Sequence, residues 1–422
     1  MKRVVITGMG AVTPLGNDAP TTWDGLATGR SGVGELTTIE TEGFQVRIAG
    51  QVKDFRLKDL VPREVGLRHL SRPGQFGLAA AQEALRDAGV DRDTYDSEDM
   101  GVSVGASVGR PGLQWLLDVG ELRESTGDEN AFIPYSPSQT LEFSQNVPAA
   151  AIARLIDATG PLMGVSTACS GSGHAIGEAF RAIQEGDATL MVAGGYDSLT
   201  SWMDVLGFSL LGALTDRYND DPQTASRPFD GERSGFVLGE GGVLFVLEEL
   251  ESALARGAHI HAEILGYGSS LNAWRITDSP PDGSGAIESM AGAVNDAGVG
   301  TEAIDYVVAH GTSTHGNDLS ETTAIKKLFG DDATRLVISS PKSMAGHLTS
   351  AGAALNVLAA VGAIQNSLVP PTINLTHPDR KLDLDYVPNT ARNQPVKHAL
   401  INAFAFGGTN ISLVVGRYEA AR

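Results

Sequence analysis

Apolar positions along the chain fall into two patterns that alternate from one end to the other. Short, mainly apolar runs at residues 4–7 and 188–193 read as buried strands, and 101–105 is strand-like. Between them, Phe76, Leu78, Ala79, Ala80, Ala84 and Leu85 recur at near-helical spacing, which predicts a helix over 75–88. A strand at 242–247 and a helix at 250–256 follow, and then the series restarts. Strands are expected at 261–266, 304–309 and 336–339, with helices near 287–297 and 349–364. Two closing strands, 399–404 and 411–415, flank a Gly-Gly turn. Strands alternating with helices make the class α/β. The restart divides the chain into two similar halves, 1–257 and 258–422.

Composition narrows the function classes. The chain has 422 residues, 42% of them hydrophobic, which is ample for a large buried core. Its formal net charge is −20, so nucleic acid is repelled, and no long run of Lys and Arg offsets this. One cysteine allows no intramolecular disulfide. The start, MKRVVITGMG, lacks the apolar core of a signal peptide, and the apolar stretch 351–364 is too short to span a bilayer. The expectation is a cytoplasmic enzyme with neither membrane nor nucleic acid as partner.

The single cysteine, Cys169, lies in Ser166-Thr167-Ala168-Cys169-Ser170-Gly171, just before a segment with helical periodicity. Unpaired N–H groups and the positive end of a helix favour a thiolate, so this position predicts a lowered pKa and a nucleophile. The small neighbours permit a sharp turn that exposes the sulfur. A buried structural cysteine is the alternative reading.

Two other strand ends carry chemistry. The strand 304–309 delivers His310, in His310-Gly311-Thr312-Ser313-Thr314, and the strand 336–339 leads to Lys342 and His347. Ligand chemistry in open α/β sheets gathers at the carboxyl ends of strands. A thiol beside imidazoles can perform acyl transfer. Two neutral imidazoles can also each donate an N–H to a thioester carbonyl and stabilise the enolate that decarboxylation of a malonyl thioester generates. No cofactor is needed for that. His310, His315 and Asp318 match no strong zinc spacing, so no metal is expected. The turn Phe404-Ala405-Phe406-Gly407-Gly408 offers the N–H of Phe406 as an oxyanion donor beside that of Cys169; an ordinary hairpin turn is the alternative. Gly8-x-Gly10 lacks the third glycine of a dinucleotide fingerprint and reads as a tight turn after a strand.

Together, Thr167-Ala168-Cys169-Ser170, His310-Gly311-Thr312-Ser313-Thr314, Lys342-Ser343-Met344-x-Gly346-His347 and Phe406-Gly407-Gly408-Thr409-Asn410 resemble the β-ketoacyl-acyl-carrier-protein synthases of the Cys-His-His type, over essentially the whole chain. The resemblance implies a thiolase-like fold, two similar βαβ halves in a five-layered αβαβα sandwich. It implies that Cys169 takes an acyl chain from an acyl carrier protein, and that His310 and His347 act on the malonyl form of that carrier. Lys342 would hold the electrostatics with Asp318 and Glu321. Phe406 would gate the two half-reactions, supported by Phe404, Gly407 and Gly408.

The partners it implies are the acyl carrier protein and a second subunit, in a homodimer or in a heterodimer with a Cys-less chain-length-factor homologue. A basic landing site for the carrier is expected at Arg63, Arg68 and Arg72, given the charge of −20. Residues 249–263 and 271–274 look closer to the ketosynthase of type II polyketide or polyene synthesis than to fatty-acid elongation, which is the alternative. A non-catalytic, chain-length-setting partner subunit is disfavoured because Cys169 is present. Ser71, Pro73, Gly74, Ser234, Arg275 and Val308 depart from the family pattern; Ser71, Pro73, Gly74 and Val308 bear on pocket shape and dimer contacts.

Overall fold

The computed structural model describes residues 1–61, 69–134 and 137–420. Ten strands form one mixed sheet. Five come from the first part of the chain: β1 (Val4–Val12), β2 (Met100–Gly105), β3 (Leu162–Val165), β4 (Leu190–Ser198) and β5 (Glu240–Glu249). Five come from the second: β6 (Ala262–Leu271), β7 (Tyr306–Val308), β8 (Val337–Ser339), β9 (His398–Phe404) and β10 (Thr409–Gly416). Their spatial order is β8-β7-β9-β10-β6-β1-β5-β4-β2-β3.

The two sets of five repeat one pattern. In the first, β3, β2 and β4 are parallel neighbours, and β5 and β1 follow antiparallel. In the second, β8, β7 and β9 are parallel, and β10 and β6 follow antiparallel. The sets join where Val4–Ile6 of β1 pair with Ala262–Ile264 of β6.

Five helices complete the layers: α1 (Arg72–Ala88), α2 (Gly171–Glu185), α3 (Ser284–Asp296), α4 (His315–Phe329) and α5 (Gly352–Asn366). Helix α1 covers β1, β4 and β5 on one outer face, and α3, with α4 beside it, covers β6 and β10 on the other. Helices α2 and α5 pack together between the two sets of strands, giving five layers, αβαβα. The sequence of α5 explains its central place. Every residue from Gly352 to Ile364 is buried, and a helix apolar all round is stable only when covered on all sides.

Local chemistry sets the ends of α1. It begins at Arg72, ahead of the expected 75, because the Ser71 hydroxyl accepts from the Gly74 N–H and Pro73 suits a first turn. Gly89, at φ 63°, ends it. Gly8 and Gly10 are not at a turn, contrary to the sequence expectation, since β1 runs on to Val12. A Cβ at Gly8 would lie 2.1 Å from the Ala84 carbonyl oxygen, and one at Gly10 1.9 Å from that of Ala80. These glycines let β1 press against the backbone of α1. Among the described residues, no helix is long and apolar enough to cross a membrane.

Candidate active site

Cys169 sits in a single 3-10 turn, Ala168–Ser170, between β3 and the first residue of α2. Ala168 takes φ 47°, a left-handed conformation that a small residue tolerates best. The turn is clamped from below, since a Cβ at Gly105, the end of β2, would lie 2.2 Å from the carbonyl carbon of Gly171. Side-chain bonds from Ser170 to the Thr167 carbonyl at 2.7 Å and to the Thr409 hydroxyl at 3.1 Å hold it to β10.

The structure corrects the expected pKa of the thiol. Burial pushes Cys169 up to about 11. The Lys342 charge pulls it down, Asp197 pushes it further up, and the N–H groups of Phe406 and Cys169 pull it down. Loss of the sulfur's solvation outweighs the Lys342 charge and the two N–H groups together.

Both imidazoles stand over the same cleft. His310 follows β7; its backbone N–H and that of Gly311 donate to the Glu321 carboxylate, each at 2.8 Å. Glu321 also accepts from the Asn402 amide at 3.0 Å. His347 follows the short helix Lys342–Ala345 and is anchored by its N–H to the Val237 carbonyl at 2.7 Å. The two rings lie 5.4 Å apart at 82°, with Phe236 edge-on to His347 and Phe404 beside His310.

Burial, and then the Lys342 charge, hold both imidazoles well below the usual histidine range, so both are neutral near pH 7. Nδ1 of His347 accepts from the Thr349 N–H at 3.1 Å, which leaves the proton on Nε2 as a donor. Nδ1 of His310 is buried and has no partner among the described residues.

Lys342 is 2% exposed. Burial lowers it to about 8, opposed by the charges of Glu321, Cys169 and Asp318, so it is mainly protonated at neutral pH. Asp318 is fully buried, accepts from the N–H groups of Thr312 and Phe229 at 3.0 and 2.9 Å, and pairs with Arg233 at 3.5 Å. Burial raises both Asp318 and Glu321.

Between β9 and β10, Gly407 and Gly408 take φ 88° and 84°, so the chain reverses there, and the Phe406 N–H helps to lower the pKa of the Cys169 thiol. The Phe406 ring lies 6.5 Å from that of Phe208. The resulting cleft, about 200 Å3, is lined by Cys169, His310, His347, Phe404 and Phe406. Residues from four separate strand ends thus converge on one space.

Sequence reasoning missed Asp197 and Thr349. Asp197, the penultimate residue of β4, is 2% exposed and accepts from the Thr349 and Ser107 hydroxyls and the Ser350 N–H. Nothing but its place two residues after Gly194-Gly195 hinted at it. Arg72, expected to meet a carrier, pairs its guanidinium with the buried Glu240 at 2.5 and 3.0 Å while its side chain stays 44% exposed. Arg63 and Arg68 lie outside the described residues.

An αβαβα fold with a thiol, two neutral imidazoles and a buried ammonium around one cleft defines a thiolase-like acyltransferase. Residues 1–253 match the family model of the β-ketoacyl synthase N-terminal domain, and 261–376 that of the C-terminal domain. The chain belongs to the β-ketoacyl synthase family.

It is 41% identical over 418 residues to a 3-oxoacyl-[acyl-carrier-protein] synthase 2 of Synechocystis sp., covering 99% of each chain. It is 40% identical over 426 residues to the protein of that name from Staphylococcus aureus, again with 99% of each covered. Among solved structures, it superimposes on a type II polyketide ketosynthase bound to its acyl-carrier protein, AntDE with AntF, with a TM-score of 0.89 at 32% identity, covering 99% of this chain and 100% of that one. The ishigamide ketosynthase/chain length factor gives 0.88 at 35% identity with the same coverage.

Proposed function

We propose that the protein catalyses the decarboxylative condensation of a Cys169-bound acyl chain with malonyl-acyl carrier protein, in type II polyketide biosynthesis. The observation that carries this reading is the pair of neutral imidazoles, 5.4 Å apart, in the cleft of Cys169.

In the first half-reaction the sulfur attacks the acyl thioester carbonyl. The Phe406 and Cys169 N–H groups hold the oxyanion, and the carrier thiol leaves with the proton that the Cys169 thiol gives up. In the second, the malonyl carboxylate leaves as CO2. Its electron pair becomes an enolate, whose oxygen takes hydrogen bonds from the imidazoles. The enolate carbon then attacks the acyl carbonyl, and the Cys169 sulfur leaves and is reprotonated. Lys342, charged at neutral pH, supports the anionic states, with Asp318 and Glu321 holding it and the His310 loop. In this reading residues 1–257 supply the nucleophile and 258–422 the imidazoles.

The acyl carrier protein is the partner, and a second subunit, identical or a Cys-less homologue, completes the assembly. The polyketide reading draws on the likeness to AntDE and the ishigamide ketosynthase. Fatty-acid elongation is the second reading, favoured by the higher identity to the 3-oxoacyl-[acyl-carrier-protein] synthase 2 relatives. The test is a condensation assay with acyl and malonyl carrier proteins. Native enzyme forms β-ketoacyl product and Cys169→Ala forms none; product from the variant overturns the mechanism. The chain that accumulates in the producing cell separates the two pathways.

A further inference from the structure

The buried carboxylate of Asp197 ties the two sets of strands together at a turn that orients an imidazole. Asp197 lies at the end of β4 in the first set, and the turn Thr349–Ala351 follows His347 in the second. One oxygen, Oδ2, accepts from the Thr349 hydroxyl at 2.5 Å, the Ser107 hydroxyl at 2.8 Å and the Ser350 N–H at 3.0 Å. The other, Oδ1, accepts from the Ser198 N–H at 3.0 Å. Among the described residues no cation pairs with it, so hydroxyls and N–H groups alone offset the burial of this carboxylate.

Thr349 takes φ 47°, in the left-handed region, which a β-branched residue enters only when its surroundings hold it there. Two contacts do so. Its hydroxyl is bonded to Asp197, and the turn is seated on the end of β4, since a Cβ at Gly195 would lie 3.2 Å from the Ser350 carbonyl oxygen. The backbone direction matters because the N–H of the same residue donates to Nδ1 of His347 at 3.1 Å. Relaxing Thr349 to negative φ re-aims the peptide that carries this N–H, and Nδ1 is then free to take the ring proton.

We propose that Asp197 is a positioning residue for His347: it holds Thr349 in the left-handed turn and so fixes the imidazole with its proton on Nε2. This deepens the condensing function proposed above and rests on it, since the Nε2 proton is the one offered to the enolate oxygen. Asp197 acts through Thr349 and touches no reacting group. Asn is a poor stand-in at this position. Its amide has one acceptor oxygen, and whichever way it is turned its NH2 faces a donor, the Ser198 N–H on one side or the Ser350 N–H on the other.

The test compares native enzyme with Asp197→Asn, Thr349→Val and Thr349→Ser. Thr349→Val keeps the β-branch and loses the hydroxyl, whereas Thr349→Ser keeps the hydroxyl. With 15N-labelled histidine, the His347 signals, assigned by their loss in His347→Gln, should show Nδ1 unprotonated and Nε2 protonated in native enzyme. Asp197→Asn and Thr349→Val should show the proton shared between the two nitrogens, and Thr349→Ser should restore the native pattern. CO2 release from malonyl carrier should fall about tenfold in Asp197→Asn and Thr349→Val, the scale of one neutral hydrogen bond. Acyl loading of Cys169, followed by intact mass, should fall much less, and Thr349→Ser should recover most of the loss. A native His347 spectrum in both Asp197→Asn and Thr349→Val overturns the inference. So do equal losses in the two half-reactions, which a merely loosened fold would give. If native enzyme forms no adduct and releases no CO2, the condensing function falls, and the proton's place on His347 in the variants still decides whether Asp197 positions that ring.

Discussion

The Thr349 N–H donates to Nδ1 of His347 at 3.1 Å, and that one bond decides what the imidazole can do. With Nδ1 occupied as an acceptor, the ring proton sits on Nε2, so His347 is a hydrogen-bond donor rather than a base. His310, whose Nδ1 has no partner among the described residues, is not fixed in this way.

A donor role for His347 predicts a split between the half-reactions. His347→Ala should still acquire an acyl group on Cys169, because the oxyanion donors there are backbone N–H groups. Decarboxylation of malonyl carrier should fall by about 10²–10³, the usual loss for one oxyanion donor. Intact mass measures the first and CO2 release the second; equal losses in both would contradict the assignment.

Alkylation of Cys169 should report its raised pKa. The rate with iodoacetamide should keep climbing from pH 7 towards 10, since the thiol is pushed up to about 11. Lys342, lowered to about 8, loses its charge across this range, and with it a pull favouring the thiolate. The slope should therefore flatten above pH 8 without reaching a plateau. Lys342→Met should slow alkylation at pH 7 and remove the break. A plateau near pH 7 would show that the helix end dominates after all.

The fold was legible in the sequence wherever burial is complete. Strands β4 and β5 carry the unbroken runs Leu190–Tyr196 and Gly241–Leu247, and α5 announces itself by its mainly small, apolar residues. The helix Leu113–Thr126 was not legible, because only Val119 is buried and no apolar stripe exists to read. Cys169, His310, Lys342 and His347 were legible as residues at strand ends.

The electrostatics at Cys169 were not. The thiol's pKa depends on burial and on Lys342, Asp197 and Phe406, which are brought to Cys169 only by packing. Asp197 and Thr349 escaped notice for the same reason. Gly8 and Gly10 misled because a glycine that admits a neighbouring helix looks, in one dimension, like a glycine that admits a turn.

Asp318 should be structural as well as electrostatic. It is fully buried, caps two backbone N–H groups of the His310 loop and its neighbour, and pairs with Arg233. Asp318→Ala removes the acceptor of the Thr312 and Phe229 N–H groups and one of the two carboxylates beside Arg233, Asp379 keeping its bond at 3.0 Å, and should cost about 1–3 kcal/mol in unfolding free energy. Asp318→Asn should lose less. Urea denaturation of both variants measures this, and a change within ~0.5 kcal/mol for Ala would contradict it.

Two glycines should respond in opposite directions to the same substitution. Gly10→Ala forces a methyl to within 1.9 Å of the Ala80 carbonyl oxygen and should destabilise by roughly 1–3 kcal/mol. Gly207→Ala, in the helix Trp202–Leu210, meets nothing within 4 Å and should stabilise by about 0.5–1 kcal/mol. Thermal unfolding of the two variants checks both signs.

The central claim is that Cys169 carries the chain that malonyl carrier then extends, and single-turnover intact mass tests it most directly. Native enzyme mixed with acyl carrier protein should gain one acyl mass, localised to Cys169. Adding malonyl carrier protein should then discharge it with release of one CO2 per adduct. Failure to form the adduct with active carriers, or its persistence after malonyl carrier is added while product still appears, would contradict the account.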